Sequence, residues 1–387
     1  MEKVKFGIVG ADFNLRSNMV MVNYPKDRSE LVALCDTNPA MLQKFRDENP
    51  DSTVKFYDSA EKMYADTDVQ AVFIMVRDLY HEELAVAALE AGKAVYLEKP
   101  IAITVEGCDR ILATAVRTSG KLFVGHNMRY FASILKMKEV IDSGIIGNIQ
   151  CAWVRHFVNY GSCYFHHWCA EQKNCTGLLL QKGAHDIDII HWLTGAYSKR
   201  VVGMGKLSVY NRTTNHLAPG EAPDRKKAFM ETSWPPLEID KLNPNMDVED
   251  HNMLLMQLSN GVQASYEHCM YAPDSERNYT FIGDKGRVEN IGDTGDCEIH
   301  VWVSRTKRTT PDIIYKLRAK QGSHGGSDAE IIKAFFDYVQ YDKKPSVSPI
   351  AARYAVAAGY MGHVSLRNGN MPQDIPDLPQ ELIDYFA

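Results

Sequence analysis

Hydrophobic positions in the first third of the chain follow two alternating patterns. Short, largely apolar runs fall at residues 4–9, 31–35, 71–76, 94–97 and 122–124. The run 71–76 is continuous and lacks the polar alternation of a half-exposed strand, as suits a strand buried on both faces. Between them the apolar residues take helical spacing, at 15–22, after Thr37-Asn38-Pro39, after Asp58-Ser59-Ala60-Glu61, at 84–91, and at Val105, Cys108, Leu112 and Ala115. Thr37-Asn38-Pro39 offers a capping side chain and a proline suited to a first helical turn, and Asp58-Ser59-Ala60-Glu61 reads as a capping box. Gly92 and Gly120 stop the helices before them. Strand alternating with helix at this pitch predicts a parallel, doubly wound sheet.

The pattern changes after Gly125-His126-Asn127-Met128-Arg129-Tyr130, which reads as a crossover into a second domain. A helix over 134–141 closes on Ser143-Gly144, and residues 150–158 alternate like an antiparallel strand. Residues 201–209, 252–258, 262–267, 279–282 and 300–303 read as further antiparallel strands, with a hairpin turn at Ser259-Asn260-Gly261-Val262. A helix over 184–193 ends at Gly195, and helices over 327–341 and 349–366 close the chain. Residues 212–250 form a long polar insertion containing Trp234-Pro235-Pro236, of a length found in lids, interfaces or disordered segments. The expected domains are therefore residues 1–125 and 126–387.

Composition narrows the function classes. A chain of 387 residues with 45% hydrophobic and 24% charged positions is an ordinary globular protein of about two domains. A net charge of −6 argues against nucleic acid as a partner. No stretch reaches the roughly 18 apolar residues of a membrane span. Met1-Glu2-Lys3-Val4-Lys5 leads straight into a strand, so no signal peptide is expected and a cytoplasmic location is. The 8 cysteines contain no CxxC pair, and Cys163, Cys169 and Cys175 do not match a zinc pattern. A metal centre at His166, His167, His185 and Asp188 has no supporting ligand spacing, and none is expected.

Candidate chemistry gathers at the carboxyl ends of the parallel strands, where open α/β sheets bind ligands. Glu98-Lys99-Pro100 ends the run Ala94-Val95-Tyr96-Leu97, and a partly desolvated lysine there can titrate usefully. The first strand-to-helix turn reads Gly10-Ala11-Asp12-Phe13-Asn14-Leu15 and keeps one glycine of the dinucleotide pattern G-x-G-x-x-G. Asp36, at the end of the second strand, stands where an acidic residue binds the adenosine ribose, which favours NAD over NADP. In the second domain, Tyr160-Gly161-Ser162-Cys163-Tyr164-Phe165-His166-His167-Trp168 reads as an aromatic and histidine-rich loop of the kind that faces sugars or packs as a cluster. His185 and Asp188 share one helical face, a position that suits a core histidine as well as a catalytic one.

These stretches together resemble the Gfo/Idh/MocA family of nicotinamide-dependent sugar oxidoreductases. The resemblance rests on Glu98-Lys99-Pro100, on His81 in the loop before the preceding helix, and on the crossover at 125–130. It rests also on Gly177, His185 and Asp188, and on His324-Gly325-Gly326. It implies an α/β protein with an N-terminal Rossmann domain and a C-terminal α/β domain bearing a large, open, mainly antiparallel sheet, through which a homo-oligomer, dimer or tetramer, would form. It implies NAD as cofactor, with contacts from Gly10, Ala11, Asp12, Phe13, Asp36, Thr37, Val76, Arg77, His81, Glu98, Lys99 and Asn127. It implies Lys99 and His185 as catalytic residues, and Lys99, Arg129, Tyr164, His166, Trp168, Gln181, Lys182 and His185 around a carbohydrate or glycoside. Many members carry aspartate four residues before the histidine; here Gln181 stands there, followed by Lys182. Three readings follow: an NAD-dependent oxidoreductase of a sugar, polyol or glycoside hydroxyl; a redox glycosidase that oxidises the sugar transiently, expels the aglycone and recycles its cofactor; and a non-catalytic sugar or dinucleotide sensor.

Overall fold

A computed structural model describes residues 2–11, 16–224, 227–228, 233–305, 309–319 and 322–387. The chain divides into two compact units: Met1–Tyr130 with Gln321–Arg353 and Leu378–Ala387, and Phe131–Lys320 with Tyr354–Asp377.

The first unit is built on six parallel strands: β1 (Val4–Val9), β2 (Ser29–Cys35), β3 (Lys55–Tyr57), β4 (Ala71–Ile74), β5 (Ala94–Leu97) and β6 (Leu122–Val124). Their order, β3-β2-β1-β4-β5-β6, reverses direction beside β1, the arrangement that opens a crevice at the strands' carboxyl ends. Helices α1 (Arg16–Asn23), α2 (Pro39–Glu48), α3 (Ala60–Tyr64), α4 (His81–Glu90) and α5 (Val105–Thr118) connect them. Asn38 and Ser59 cap α2 and α3 through their side chains. Two boundaries differ from expectation. A short 3-10 turn at Asp78–Tyr80 lets α4 start at His81, so that histidine lies in the first helical turn and not in a loop. The left-handed residue after α5 is Ser119 (φ +52°), one place before Gly120.

The core of this unit explains why residues 321–353 belong to it. Phe335 and Phe336, on the helix Ser327–Tyr341, are fully buried against the sheet. Phe335 meets Phe73 at 4.9 Å between ring centroids, and Phe336 meets Phe6 at 5.4 Å, both edge to face. Such pairs add about 0.5–1.5 kcal/mol each beyond the area they bury. A late helix thus fills a face that the first 130 residues leave apolar.

The second unit carries α6 (Ala132–Asp142) and a nine-stranded sheet. Its strands are β7 (Ile149–Phe157), β8 (Ser198–Lys206), β9 (His251–Leu258), β10 (Gln263–Cys269), β11 (Glu276–Gly283), β12 (Arg287–Ile291), β13 (Cys297–Trp302), β14 (Ile313–Leu317) and β15 (Gln373–Asp374). The order is β14-β13-β12-β11-β7-β10-β9-β8-β15, antiparallel except where β7 runs parallel to β10. Alternation sorts the faces. Val154, His156, Leu254, Met256, Tyr266, His268, Tyr279 and Phe281 are buried, while Trp153, Met253 and Leu255 on the opposite face are exposed.

The aromatic and histidine-rich stretch is not a loop: it coils into α7 (Ser162–His166) and a 3-10 turn at Trp168–Ala170. Part of the 212–250 insertion is folded over it. Ile239, Leu242 and Val248 join Phe165, Tyr210 and Met270 in one apolar cluster. Asn243 N–H donates to Phe165 O (2.8 Å) and Asp247 N–H to Ala170 O (3.0 Å). Three short helices follow: α8 (Gln172–Cys175), α9 (Leu178–Gln181) and α10 (Gly183–Thr194), the last ended by left-handed Gly195. Among the described residues no helix is long and apolar enough to cross a membrane.

Candidate active site

At the end of β1, Gly10 has φ +92°, and a Cβ there would lie 2.5 Å from Met75 O, so only glycine fits the turn. The next amide, Ala11 N–H, donates to Asp36 Oδ2 (2.7 Å), and Asn38 N–H donates to Asp36 Oδ1 (2.8 Å). The carboxylate at the end of β2 is thereby fixed against the turn that follows β1. Thr37 is exposed beside it; Asp12 and Phe13 lie outside the described residues. A glycine-only turn and a held carboxylate at the next strand's end fit a dinucleotide.

Val76 and Arg77 follow β4 at the sheet's carboxyl edge. His81 Nδ1 lies 2.6 Å from Pro100 O and its Nε2 3.3 Å from Val76 O, which joins the segments after β4 and β5. Burial pushes its imidazole down to about 4, with the Lys99 ammonium acting in the same direction, so it is neutral at pH 7. Lys99 is 4% exposed, and its bond to Pro100 is cis. Glu98, equally buried, pairs with Arg16 at the start of α1 (3.1 Å). Asn127 Nδ2 donates to Asp328 Oδ1 (2.8 Å), and Asp328 also meets His324 Nδ1 (2.8 Å), which accounts for the His324-Gly325-Gly326 stretch. Arg129 donates to Ser346 O (2.6 Å) within the same unit.

In the second unit, Gln181, Lys182 and His185 are all at least nine-tenths buried around the junction of α9 and α10. Lys182 Nζ donates to Tyr164 Oη (3.0 Å) and Tyr160 Oη (3.1 Å). His166 Nδ1 meets Lys241 O (2.8 Å), and Trp168 O accepts from Asn174 (3.1 Å). Next to His185 in the chain, Asp186 is the centre of a hub that sequence reasoning missed. Asp186, fully buried, accepts from His156 Nδ1 (3.2 Å), Tyr266 Oη (2.9 Å), Arg277 Nε (3.1 Å) and Tyr279 Oη. Burial opposes its charge, but the Arg277 guanidinium and these donors hold the carboxyl well below its usual range. The alternation Tyr266, His268 and Arg277, Tyr279 on inward strand positions was the available signal. Among the described residues no group of three or more His, Cys, Asp or Glu is disposed to hold a metal.

The strand order, the glycine turn and the fixed Asp36 define a dinucleotide-binding α/β protein with a second α/β unit. Residues 4–126 match the oxidoreductase family with an NAD-binding Rossmann fold, and residues 138–373 match that family's C-terminal α/β domain. The chain belongs to the Gfo/Idh/MocA oxidoreductase family, and its nucleotide domain is of the NAD-binding kind. It is 33% identical over 195 residues to 1-carboxy-3-chloro-3,4-dihydroxycyclohexa-1,5-diene dehydrogenase of Comamonas testosteroni, covering 49% of this chain and 47% of that one. It is 31% identical over 200 residues to inositol 2-dehydrogenase of Salmonella paratyphi B, covering 51% and 56%. These matches span about half the length of either relative. The fold is shared with scyllo-inositol dehydrogenase of Lactobacillus casei, solved with NAD(H) and scyllo-inositol: TM-score 0.70, 20% identity, 97% and 99% of the two chains covered.

Proposed function

We propose that the chain is an NAD-dependent dehydrogenase acting on a hydroxyl of a cyclic polyol, sugar or glycoside. The observation that carries this reading is Lys99, buried at the carboxyl end of β5 beside a neutral His81, in a family whose relatives include dehydrogenases of ring-bound hydroxyls. Gly10, Ala11, Asp36, Thr37, Val76, Arg77, His81, Glu98 and Asn127 form or support the NAD site, and the resemblance adds Asp12 and Phe13, which lie outside the described residues. When bound, NAD supplies the hydride acceptor. Lys99 takes the proton from the reacting hydroxyl, and His185 carries the hydroxyl-contacting role that the family resemblance implies. Arg129, Tyr164, His166, Trp168, Gln181 and Lys182 orient the other hydroxyls, with Gln181 standing where many family members keep an aspartate. All 8 cysteines are free thiols, which suits a reducing compartment such as the cytoplasm. The exposed sheet face around Trp153, Met253 and Leu255 suits a homo-oligomer.

The test is Lys99→Met. It should retain NAD binding by titration calorimetry and lose hydride transfer by at least a hundredfold. Full turnover in that variant refutes the assignment.

A further inference from the structure

The turn leading to Gln181, Lys182 and His185 follows an uncommon backbone path. Thr176 has φ +65° and ψ −44°, and Gly177 N–H donates to Cys175 O (2.7 Å), a three-residue turn with a β-branched residue at its centre. Such a conformation persists where its surroundings over-determine it. Those surroundings are one face of the helix Pro349–Arg367, on which Gly359, Gly362, His363 and Arg367 fall at helical spacing. A Cβ on Gly359 would lie 2.5 Å from Leu179 O, and one on Gly177 would lie 2.2 Å from the His363 ring, so this face lies directly against α9. Arg367 donates to Thr176 O (2.9 Å) and to both carboxylate oxygens of Glu249 (3.3 Å each). His363, fully buried, accepts from Leu179 N–H at Nε2 (3.1 Å), and its Nδ1 lies 3.6 Å from Glu249 Oε2. Leu179 is the second residue of α9, a position whose amide has no partner within the helix.

We infer that His363 is a positioning residue of this site: with its Nδ1 proton turned toward Glu249 and its Nε2 capping α9, it fixes where Gln181, Lys182 and His185 stand. This rests on the dehydrogenase reading above, which gives those three side chains to the substrate. The tautomer follows from the donor. Leu179 N–H occupies the Nε2 lone pair, so a neutral ring carries its proton on Nδ1. The ring is neutral because burial drives it well below its ordinary range, with the Arg367 guanidinium acting in the same direction and the Gly177 backbone opposing. Arg367 in turn supplies the counter-charge of Glu249, whose carboxyl burial pushes up. From Leu179 the constraint passes through a single helical turn. Gly177 O accepts from Gln181 N–H (2.9 Å) and Leu178 O from Lys182 N–H (3.0 Å), and α10 begins at the next residue. Filling the volume of His363 would satisfy a packing role; a cap needs an acceptor at the position of Nε2.

The experiment compares full-length wild type with His363→Gln, which keeps an acceptor for Leu179 N–H, and His363→Leu, which keeps volume without one. Hydrogen–deuterium exchange read by mass spectrometry follows a peptide over residues 176–185 and a control peptide over 94–124. In His363→Leu the first peptide should exchange about tenfold faster with the control unchanged, while His363→Gln stays within about threefold of wild type. With NAD and a turned-over polyol or sugar, His363→Leu should lower kcat about tenfold, with KM for NAD changed by less than about threefold, and His363→Gln should recover most of the loss. Should His363→Leu not fold, Glu249→Gln carries the comparison: the Nδ1 proton and Arg367 lose their charged partner, and exchange over 176–185 should rise about threefold. Unchanged exchange over 176–185, faster exchange in both peptides alike, equal behaviour of the leucine and glutamine variants, or an unchanged kcat in His363→Leu overturns the inference. A wild type that oxidises none of the compounds would refute the dehydrogenase reading, while the exchange comparison still decides the cap, so the two fail separately.

Discussion

Replacing Asp186 tests whether the hub around it is a desolvated charge network. In Asp186→Ala, Arg277 loses its 3.1 Å partner and keeps Asp293 at 3.3 Å, while the hydroxyls of Tyr266 and Tyr279 and the ring N–H of His156 lose their acceptor. Removing one member of a buried pair costs about 3–5 kcal/mol. We expect about 4 kcal/mol, because Asp293 offsets part of the stranded charge while the orphaned donors add to the cost. Asp186→Asn keeps one acceptor and the volume, and should cost about 2 kcal/mol. Urea unfolding followed by far-ultraviolet circular dichroism reads both; at a slope of about 1–3 kcal/mol per molar the alanine variant moves the midpoint by more than about 1 M. The double variant Asp186→Ala with Arg277→Met should be at least about 2 kcal/mol better than the sum, since no charge is then stranded. The Asp186 carboxyl titrates lower folded than unfolded, so its contribution is present above pH ~4 and lost as pH falls further. A cost below about 1 kcal/mol for the alanine variant, or equal costs for alanine and asparagine, would refute the reasoning.

Three other outcomes follow from the geometry. Asp36→Ser removes the carboxylate that opposes a 2′-phosphate and should shift the ratio of NAD to NADP affinity by at least tenfold toward NADP; an unchanged ratio in calorimetric titration contradicts the placement of the ribose. His268 is buried, with neither ring nitrogen hydrogen-bonded among the described residues, and burial pushes it down to about 3. Its unfolded value is near 6.5, so the unfolded state binds the extra proton below that pH and stability falls as pH drops from about 6.5. His268→Leu should therefore gain about 2 kcal/mol relative to wild type at pH 5 over its value at pH 7.5, and equal differences at both pH values would refute this. Gly161→Ala places a Cβ 1.9 Å from Met270 O and should lower the melting temperature while lifting the tyrosine-bearing segment; an unchanged melting temperature would show that the close approach is not enforced.

Five of the six parallel strands were legible as largely apolar runs, and α2 and α3 as capped helices, but β3 (Lys55–Tyr57) escaped because three residues led by a lysine make no apolar run. Helices over 327–341 and 349–366 were legible too, but not where the first of them packs: Phe335 and Phe336 look like any helix's apolar stripe until Phe6 and Phe73 are seen beneath them. Strands β12 and β14 escaped because residues such as Arg287, Glu289 and Lys316 interrupt short apolar alternations that only neighbouring strands complete. The helical turn at 162–166 was hidden because aromatic and histidine residues favour it no more than an irregular loop; the overlying residues 239–248 hold it in place. Lys99 and His185 stood out as candidates through their motifs. Asp186 was not, because its importance lies in four donors drawn from three strands.

The most direct test of the central claim is one incubation of the purified protein with NAD and a panel of inositols, sugars and aryl glycosides, reading reduced-nicotinamide absorbance and free aglycone together. The account predicts NADH rising in proportion to polyol or sugar oxidised, with no aglycone released. Sustained aglycone release without net NADH would transfer the site to the glycosidase reading, and neither signal with any compound would contradict oxidoreductase function altogether.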